Sequence, residues 1–246
     1  IMKALKFLIL ILVFSQGLNA QTNYSKAHFF ELGLMAGFSN YSGDLSEGTI
    51  ELSQSRPVYG AFARYHLSPS LFLKSQFSAG RIYADDKYSE TRADRQFRVN
   101  GPLMELSTVL EYSPLDFGYE NSSGEQFYFF PYLFVGIGGT FVKPELTYYG
   151  PPEKEAAYVK TPFPEGGKAQ RLLFCAPMGL GLRFNLKSRT TLGLEFGARP
   201  AFSDLLDGVS ENGNPKAKDW YYFGGITASY YLGQPWEKRN SDLPGK

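Results

Sequence analysis

Apolar residues recur at every second position in repeated stretches of about ten residues along this chain. The clearest stretch runs from Leu172 to Leu186, where Leu, Phe, Ala and Met alternate with smaller or polar residues. A period of two is that of a β-strand, whose successive side chains point to opposite faces. Eight segments show it, with apolar faces marked by Leu32 and Leu34, Tyr59 and Tyr65, Leu71 and Leu73, Leu106 and Leu110, Leu133 and Val135, Leu180 and Leu182, Leu192 and Leu194, and Tyr222, Ile226 and Tyr230.

The fifth segment, Phe130 to Val142, is apolar on both faces, so its phase is not fixed by the pattern. We assign Leu133, Val135, Ile137 and Phe141 to the same face as the apolar positions of the other segments. None of the eight apolar faces contains a charged residue. The opposite face carries four acidic and four basic residues, namely Glu31, Glu105, Glu111, Glu195, Arg64, Lys74, Arg183 and Arg199.

This alternation fits two architectures. A soluble β-sandwich would bury the apolar face and wet the charged face, whereas a membrane barrel would turn the apolar face to lipid. The connections favour the barrel, because tight turns at Ser68-Pro69-Ser70 and Lys187-Ser188-Arg189 alternate with long connections. The sequence therefore predicts an all-β, up-and-down transmembrane antiparallel β-barrel of eight strands with both termini periplasmic. An exported soluble β domain is the alternative.

An eight-stranded barrel is too narrow for an open channel, so side chains fill its interior. The eight charged residues of the polar face would then lie in the lumen, and five of them, Glu31, Arg64, Lys74, Glu111 and Arg183, at similar heights toward its periplasmic end. Opposite charges at one height can pair and plug the lumen. We expect a structural ion network that satisfies buried charges, in preference to a translocation path.

The start of the chain has the order of a secretory signal peptide. Lys3 and Lys6 precede an apolar run from Phe7 to Phe14, and Leu18-Asn19-Ala20 follows. The run is too short for a spanning helix, which needs roughly 20 residues. We predict a signal peptide over 1–20 cleaved after Ala20, a barrel over 21–232 in the outer membrane and a periplasmic tail over 233–246.

Composition excludes several classes of function. Lys and Arg total 25 against 24 Asp and Glu, so the formal charge of +1 argues against nucleic-acid binding, and one cysteine forms no intrachain disulfide. No phosphate loop, zinc spacing or serine elbow is present, so we expect neither enzymatic activity nor a cofactor. His66 is the one feature that would support a lipid-modifying enzyme. Carboxylates at Asp85-Asp86 and Asp204 to Asp207 match no calcium-loop pattern, and solvated loops explain them better.

Several stretches in order resemble a known family. They are Glu31-Leu32-Gly33, Asn40-Tyr41-Ser42-Gly43-Asp44-Leu45, Gly60-Ala61-Phe62-Ala63-Arg64-Tyr65, Pro131-Tyr132-Leu133-Phe134-Val135-Gly136-Ile137-Gly138, Pro177-Met178-Gly179-Leu180-Gly181, Leu194-Glu195-Phe196-Gly197 and Ser203-Asp204-Leu205-Leu206-Asp207. From about residue 29 to 232, the chain resembles the PorG family, the outer-membrane β-barrel component of the type IX secretion system of Bacteroidota. Each piece alone is ordinary barrel sequence, and their order makes the resemblance specific.

The resemblance implies a non-enzymatic role, in which the barrel ties the periplasmic ring of the PorK lipoprotein and PorN to the outer membrane. It assigns no role to the loop-motif residues Gly43, Asp44, Asp204 and Asp207. Surfaces available for partners are the connection Ser113 to Tyr128, with Leu115, Phe117 and Tyr119, and the tail with Trp236. The alternative is a generic small outer-membrane barrel of the OmpX or adhesin kind, acting through outer loops such as Val142 to Arg171.

Overall fold

The computed structural model describes residues 30–43, 45, 51–89, 91, 93–115, 117–120, 126–159, 161–162, 170–187, 189–203, 206–209 and 219–232. The predicted signal peptide and tail lie outside these residues. The described strands are β1 Phe30–Ser42, β2 Arg56–His66, β3 Leu71–Asp85, β4 Phe97–Tyr112, β5 Phe117–Glu120, β6 Gln126–Val142, β7 Glu145–Tyr148, β8 Arg171–Cys175, β9 Met178–Lys187, β10 Thr190–Pro200 and β11 Trp220–Leu232. Helix α1 spans Pro152–Tyr158, and short 3₁₀ helices span Leu52–Gln54, Asp86–Tyr88 and Ala93–Arg95.

Eight strand positions close into a ring. The order is β6, β9, β10, β11, β1, β2, β3 and β4, after which β4 pairs again with β6, and each pairing is antiparallel. Strands β1 and β11, the first and last along the chain, pair along their whole length, from the pair Phe30 and Leu232 to the pair Ser42 and Trp220. The predicted eight-stranded, up-and-down barrel is confirmed. We call the end that holds Phe30 and Leu232 the inner end, and the opposite end the outer end.

Two of the remaining strands continue strands of the ring. Strand β8 continues β9, β7 continues β6, and a proline marks each break. The sixth predicted segment is divided into β8 and β9 at Ala176 and Pro177, yet its partners on β6 follow one uninterrupted register, Gly138 with Cys175 and Val135 with Met178. Pro177 still accepts a bond from the Gly136 amide at 2.8 Å but has no N–H to return. Likewise β7 pairs with β4 in the register that β6 began, and Pro144 marks the break.

At the inner end, β5 extends β4 past the barrel. Tyr112 pairs with Leu133, whereas Phe117 pairs with Phe129, so the pairing with β6 resumes after a shift of one residue. The connection predicted from Ser113 to Tyr128 therefore contains strand β5 and the first residues of β6. Strand β6 begins at Gln126, and β5 with the first residues of β6 forms a hairpin, which we call the inner hairpin. It projects beyond the turn between β2 and β3.

Apolar side chains face outward around the ring, as the alternation predicts. Leu34, Leu106 and Ile137 are each about two-thirds exposed, and the phase chosen for the fifth segment is confirmed by exposed Leu133 and Val135. One outward position differs. Tyr222 has only 8% of its surface exposed and stacks on Phe196, with ring centroids 6.1 Å apart. Among the described residues, no helix has the length and apolarity needed to cross a membrane.

Candidate functional site: the barrel interior and the inner hairpin

A layer of paired charges fills the inner half of the lumen. The Arg64 guanidinium donates to Glu31 at 2.7 Å and to Glu111 at 2.8 Å, which links β2 to β1 and β4. These side chains are at most 1% exposed. They reach one another because every second residue of a strand points inward and the three strands place these positions at one height.

Glu111 is the hub of this layer. In addition to Arg64 it lies 3.4 Å from the Lys74 ammonium and 3.5 Å from an Arg183 nitrogen. Lys74 also donates to Glu195 at 2.5 Å, and that carboxylate accepts a bond from the Tyr132 hydroxyl at 2.8 Å. One network therefore joins residues on β1, β2, β3, β4, β6, β9 and β10 across the lumen.

A second charged group lies farther toward the outer end. Arg199 donates to Glu105 at 3.3 Å and to the Gly197 carbonyl at 2.7 Å. Glu105 also accepts bonds from the hydroxyls of Ser107 and Tyr221, each at 2.7 Å. The structure thus places all eight charged residues of the sequence-predicted lumen set in the interior, each at most 5% exposed and each bonded to another member of the set.

Aromatic rings fill the space that inward glycines leave, a feature that the sequence analysis missed. A Cβ at Gly197 would lie 2.6 Å from the Phe134 ring, and one at Gly181 would overlap Tyr132. The same holds for Gly33 and the Phe62 ring. The available signal was the apolar inward face of the fifth segment, opposite the glycine-rich faces of the sixth and seventh.

The outer half of the lumen also contains a cluster of buried apolar side chains. This cluster combines strand residues such as Val58, Leu103 and Phe223 with Leu45, Leu206 and Val209 from the outer connections. Because loop residues complete this cluster, they cap the barrel above the charged layer.

The Tyr41 hydroxyl, near the end of β1, binds two carboxylates of the connection between β10 and β11. Tyr41 donates toward Asp207 at 2.6 Å and Asp219 at 3.0 Å, and both carboxylates are buried. Asp207 also accepts the Val209 amide, and Asp219 accepts the Leu206 amide. A side chain at Gly43 would collide with the Tyr41 hydroxyl and with Asp219, so the Ser-Gly-Asp-Leu motif needs glycine there.

Carboxylates at the outer rim bind protein donors. Asp85 accepts from Arg98 at 2.7 Å and from the Tyr149 hydroxyl at 2.8 Å, and Asp86 accepts two bonds from Arg95 at 2.8 Å. Partial burial, followed by the bond to Asp85, raises the pKa of Tyr149 to about 12. These bonds clamp the turn after β3 to the start of β4 and to the end of β7. No group of three or more metal-ligating side chains occurs among the described residues.

The other sequence-predicted residues fall in three places. His66 is 3% exposed, lies 3.2 Å from Glu31 and packs between the rings of Phe72 and Tyr231, so it belongs to the charged layer. Leu115 is 53% exposed beside the inner hairpin. The backbones of Phe117 and Tyr119 form β5. Their side chains, and the residues Asp44, Asp204 and Trp236, lie outside what the structure describes.

Residues 3–236 match the model of a protein family described as a domain of unknown function, DUF6089. The chain belongs to this family. No curated protein matches it. Several solved structures, among them the following three, are similar to this DUF6089 chain at low identity. Neisserial surface protein A has 8% identity and a TM-score of 0.47, covering 82% of this chain and 96% of its own.

The second solved structure is Ail, the attachment invasion locus protein of Yersinia pestis, in complex with the heparin analogue sucrose octasulfate. It is 12% identical with a TM-score of 0.45, and the match covers 83% of this chain and 99% of Ail. The third is the outer membrane protein OprG from Pseudomonas aeruginosa, at 13% identity and a TM-score of 0.41, covering 85% and 98% of the two chains.

The geometry of this DUF6089 barrel leaves two kinds of surface for function. The interior is occupied by ion pairs, aromatic rings and loop residues. Surfaces that remain for a partner are the outer connections and the inner hairpin.

Proposed function

We propose that this protein is a non-enzymatic outer-membrane subunit of the type IX secretion system that anchors a periplasmic ring of PorK- and PorN-like proteins. The observation that carries the proposal is the filled lumen. The Arg64 and Glu111 bond crosses the inner half, and Leu45 and Leu206 close the outer half. A barrel filled in this way has no path for a folded cargo, so its function depends on its ends.

The outward surface supports a position in a membrane. Leu34, Leu106, Ile137 and Leu194 are half to two-thirds exposed on four different strands, and burying such side chains in water-free surroundings is favourable. Closed barrels satisfy their backbone groups within the ring and can therefore cross a bilayer. The short turns and both ends of the described ring lie at the inner end, which is the periplasmic end in such barrels.

The inner hairpin supports the anchoring role. It projects past the turn between β2 and β3, and the exposed Leu115 lies at its base. A few apolar residues on a projecting element are suited to a protein interface. The ordered resemblance to the PorG family supplies the identity of the partner, a ring on the periplasmic side.

The proposal is tested by deleting the gene in the parent organism and measuring export of type IX cargo and assembly of the PorK and PorN ring. We expect export to stop and the ring to detach from the outer membrane, with recovery when the wild-type chain is supplied. A Leu115→Ser variant should fold normally and bind the ring more weakly, whereas Leu52→Ser, at an even more exposed outer position, should bind as the wild type does.

Normal export from the deletion strain, with rings attached, would contradict the proposal. Loss of surface adhesion in that strain would then favour the alternative of a small barrel that acts through its outer connections. Wild-type protein in a planar bilayer should pass no stable current, since both halves of the lumen are filled.

A further inference from the structure

Strand β5 has an open edge at the inner end. It pairs with β6 on one side, and no described strand lies along its other side. Strand β3 accompanies β4 only as far as the pair Leu71 and Tyr112. The Ser113 amide then donates to the Ser70 carbonyl at 2.8 Å, and from there the inner hairpin continues without its neighbour.

The register identifies which backbone groups face the open edge. The Gly136 amide of β6 donates toward β9, and the Pro131 carbonyl accepts the Ser113 hydroxyl on the β4 side. Because alternate residues point their backbone groups to opposite edges, the odd-numbered residues of β6 face β4 and β5. Phe117 and Tyr119 pair with the odd-numbered residues 129 and 127. The N–H and C=O groups of Gly118 and Glu120 therefore point away from β6.

The sequence of β5 gives that edge little protection, since its one charged residue is Glu120. Exposed edge strands in natural proteins are usually guarded by lysine, proline or a covering element, because unpaired backbone groups bind other strands. β5 reads Phe-Gly-Tyr-Glu, with neither lysine nor proline. An unguarded edge is typical of a site where a partner adds a strand.

The surrounding sequence defines the charge of the partner. From residue 113 to 128 the chain contains Asp116, Glu120 and Glu125 and no lysine or arginine. Like charges repel and opposite charges raise the rate and specificity of association, so a basic segment is favoured over an acidic one.

We infer that β5 is a strand-addition site, where an extended, basic segment of the periplasmic ring protein pairs with the backbone of Gly118 and Glu120. This inference rests on the proposed function and adds to it the surface and the kind of segment that bind. The resulting junction would continue the barrel sheet directly into the ring.

The test uses the full-length barrel in its own outer membrane, with ring proteins co-purified in mild detergent and quantified. Gly118→Pro removes the edge-directed N–H and should reduce recovery of PorK- and PorN-like proteins at least tenfold. Gly118→Ala keeps that N–H and should leave recovery unchanged. Glu120→Lys should reduce recovery, and added salt should weaken binding to the wild type. Heat-modifiable migration on gels checks that each barrel is folded.

Undiminished recovery of the ring proteins with a folded Gly118→Pro barrel would overturn the inference. If gene deletion still stopped export in that case, the proposed function would stand without the strand-addition site. A chain truncated after Gly233 tests whether residues 234–246 of the same chain, and not a ring protein, occupy the edge of β5. A photo-crosslinker placed at position 118 should attach to a ring protein. Attachment to residues 234–246 of the same chain, with ring binding unaffected by Gly118→Pro, would also overturn the inference.

Discussion

The carboxylate of Glu111 and the guanidinium of Arg64 form two hydrogen bonds, of 2.8 and 3.2 Å, although strand β3 lies between their strands. The ion pair crosses the lumen from β2 to β4. Planar two-bond pairing of this kind is the strongest form of ion pair that arginine makes with a carboxylate. Lys74 and Arg183 also pair with this carboxylate, so Glu111 forms ion pairs with three buried cations.

Replacing Glu111 should therefore destabilise the barrel. Glu111→Gln removes the charge but keeps the size. It removes the carboxylate beside Arg183 and one of the two carboxylates that pair with each of Arg64 and Lys74, all of them buried. We expect the free energy of unfolding in detergent to fall by about 3–5 kcal/mol, measured by denaturant titration. Glu145→Gln, at an exposed outer position, should change it by less than about 0.5 kcal/mol. Equal effects of the two variants would contradict a central role for Glu111.

Phe134 and Gly197 should behave as a coupled pair. A Cβ at Gly197 would lie 2.6 Å from the Phe134 ring, so Gly197→Ala should destabilise the barrel by about 1–3 kcal/mol. Adding Phe134→Leu should restore part of this loss, with a coupling of about 1 kcal/mol in a double-mutant cycle. The control is Gly225→Ala, whose Cβ would meet the backbone of Ala36 and Gly37. Phe134→Leu should give it a smaller rescue, since backbone cannot be trimmed.

The Tyr149 hydroxyl should titrate near pH 12, whereas an ordinary tyrosine titrates near 10. A raised pKa means that the folded state favours the neutral hydroxyl. The bond to Asp85 therefore contributes fully below pH 10 and is lost as the pH rises from about 10 to 12. The ultraviolet titration curve of the wild type minus that of Tyr149→Phe should show one tyrosine with a midpoint near 12. A midpoint near 10 would show that neither burial nor the bond to Asp85 acts on this hydroxyl.

Pro177→Ala should complete the ladder between β6 and the joined β8 and β9. The register is already continuous on both sides of the break, so the new amide can donate to the Gly136 carbonyl. We expect it to exchange slowly with solvent in hydrogen-exchange measurements, and the stability of the barrel to change by no more than about 1 kcal/mol. Rapid exchange at position 177 would mean that the missing N–H is not the only cause of the break, and that the strands lie too far apart there to form this bond.

Strand number and facing were predictable because side chains alternate strictly along a strand. Glu31 and Arg64 could be placed inside, and Leu34 outside, from parity alone. The break at Pro177 escaped prediction because its apolar neighbours keep the same period. Strand β5 also escaped, since four residues among Pro, Gly, Ser and Asn give too short a pattern to distinguish from a turn.

The capping of the lumen could not be predicted from local sequence at all. Leu45 and Leu206 belong to outer connections, and only the closed ring brings them over the same cavity. Tyr41, which binds Asp207 and Asp219, is separated from them by more than 160 positions. Contacts of that range depend on the assembled barrel. Sequence motifs marked these connections as specific without indicating what they contact.

The placement of the eight charges of the lumen also affects how the barrel is assembled. If one strand were inserted with its pairing displaced by a single residue, its inward side chains would turn outward. For β2, β3 or β9 that displacement would expose Arg64, Lys74 or Arg183 to lipid, at a cost of about 2–4 kcal/mol near the bilayer midplane. It would also remove one of the three cations that pair with Glu111. The charged layer therefore penalises misaligned insertion at each of these strands, and so helps the correctly aligned barrel to form.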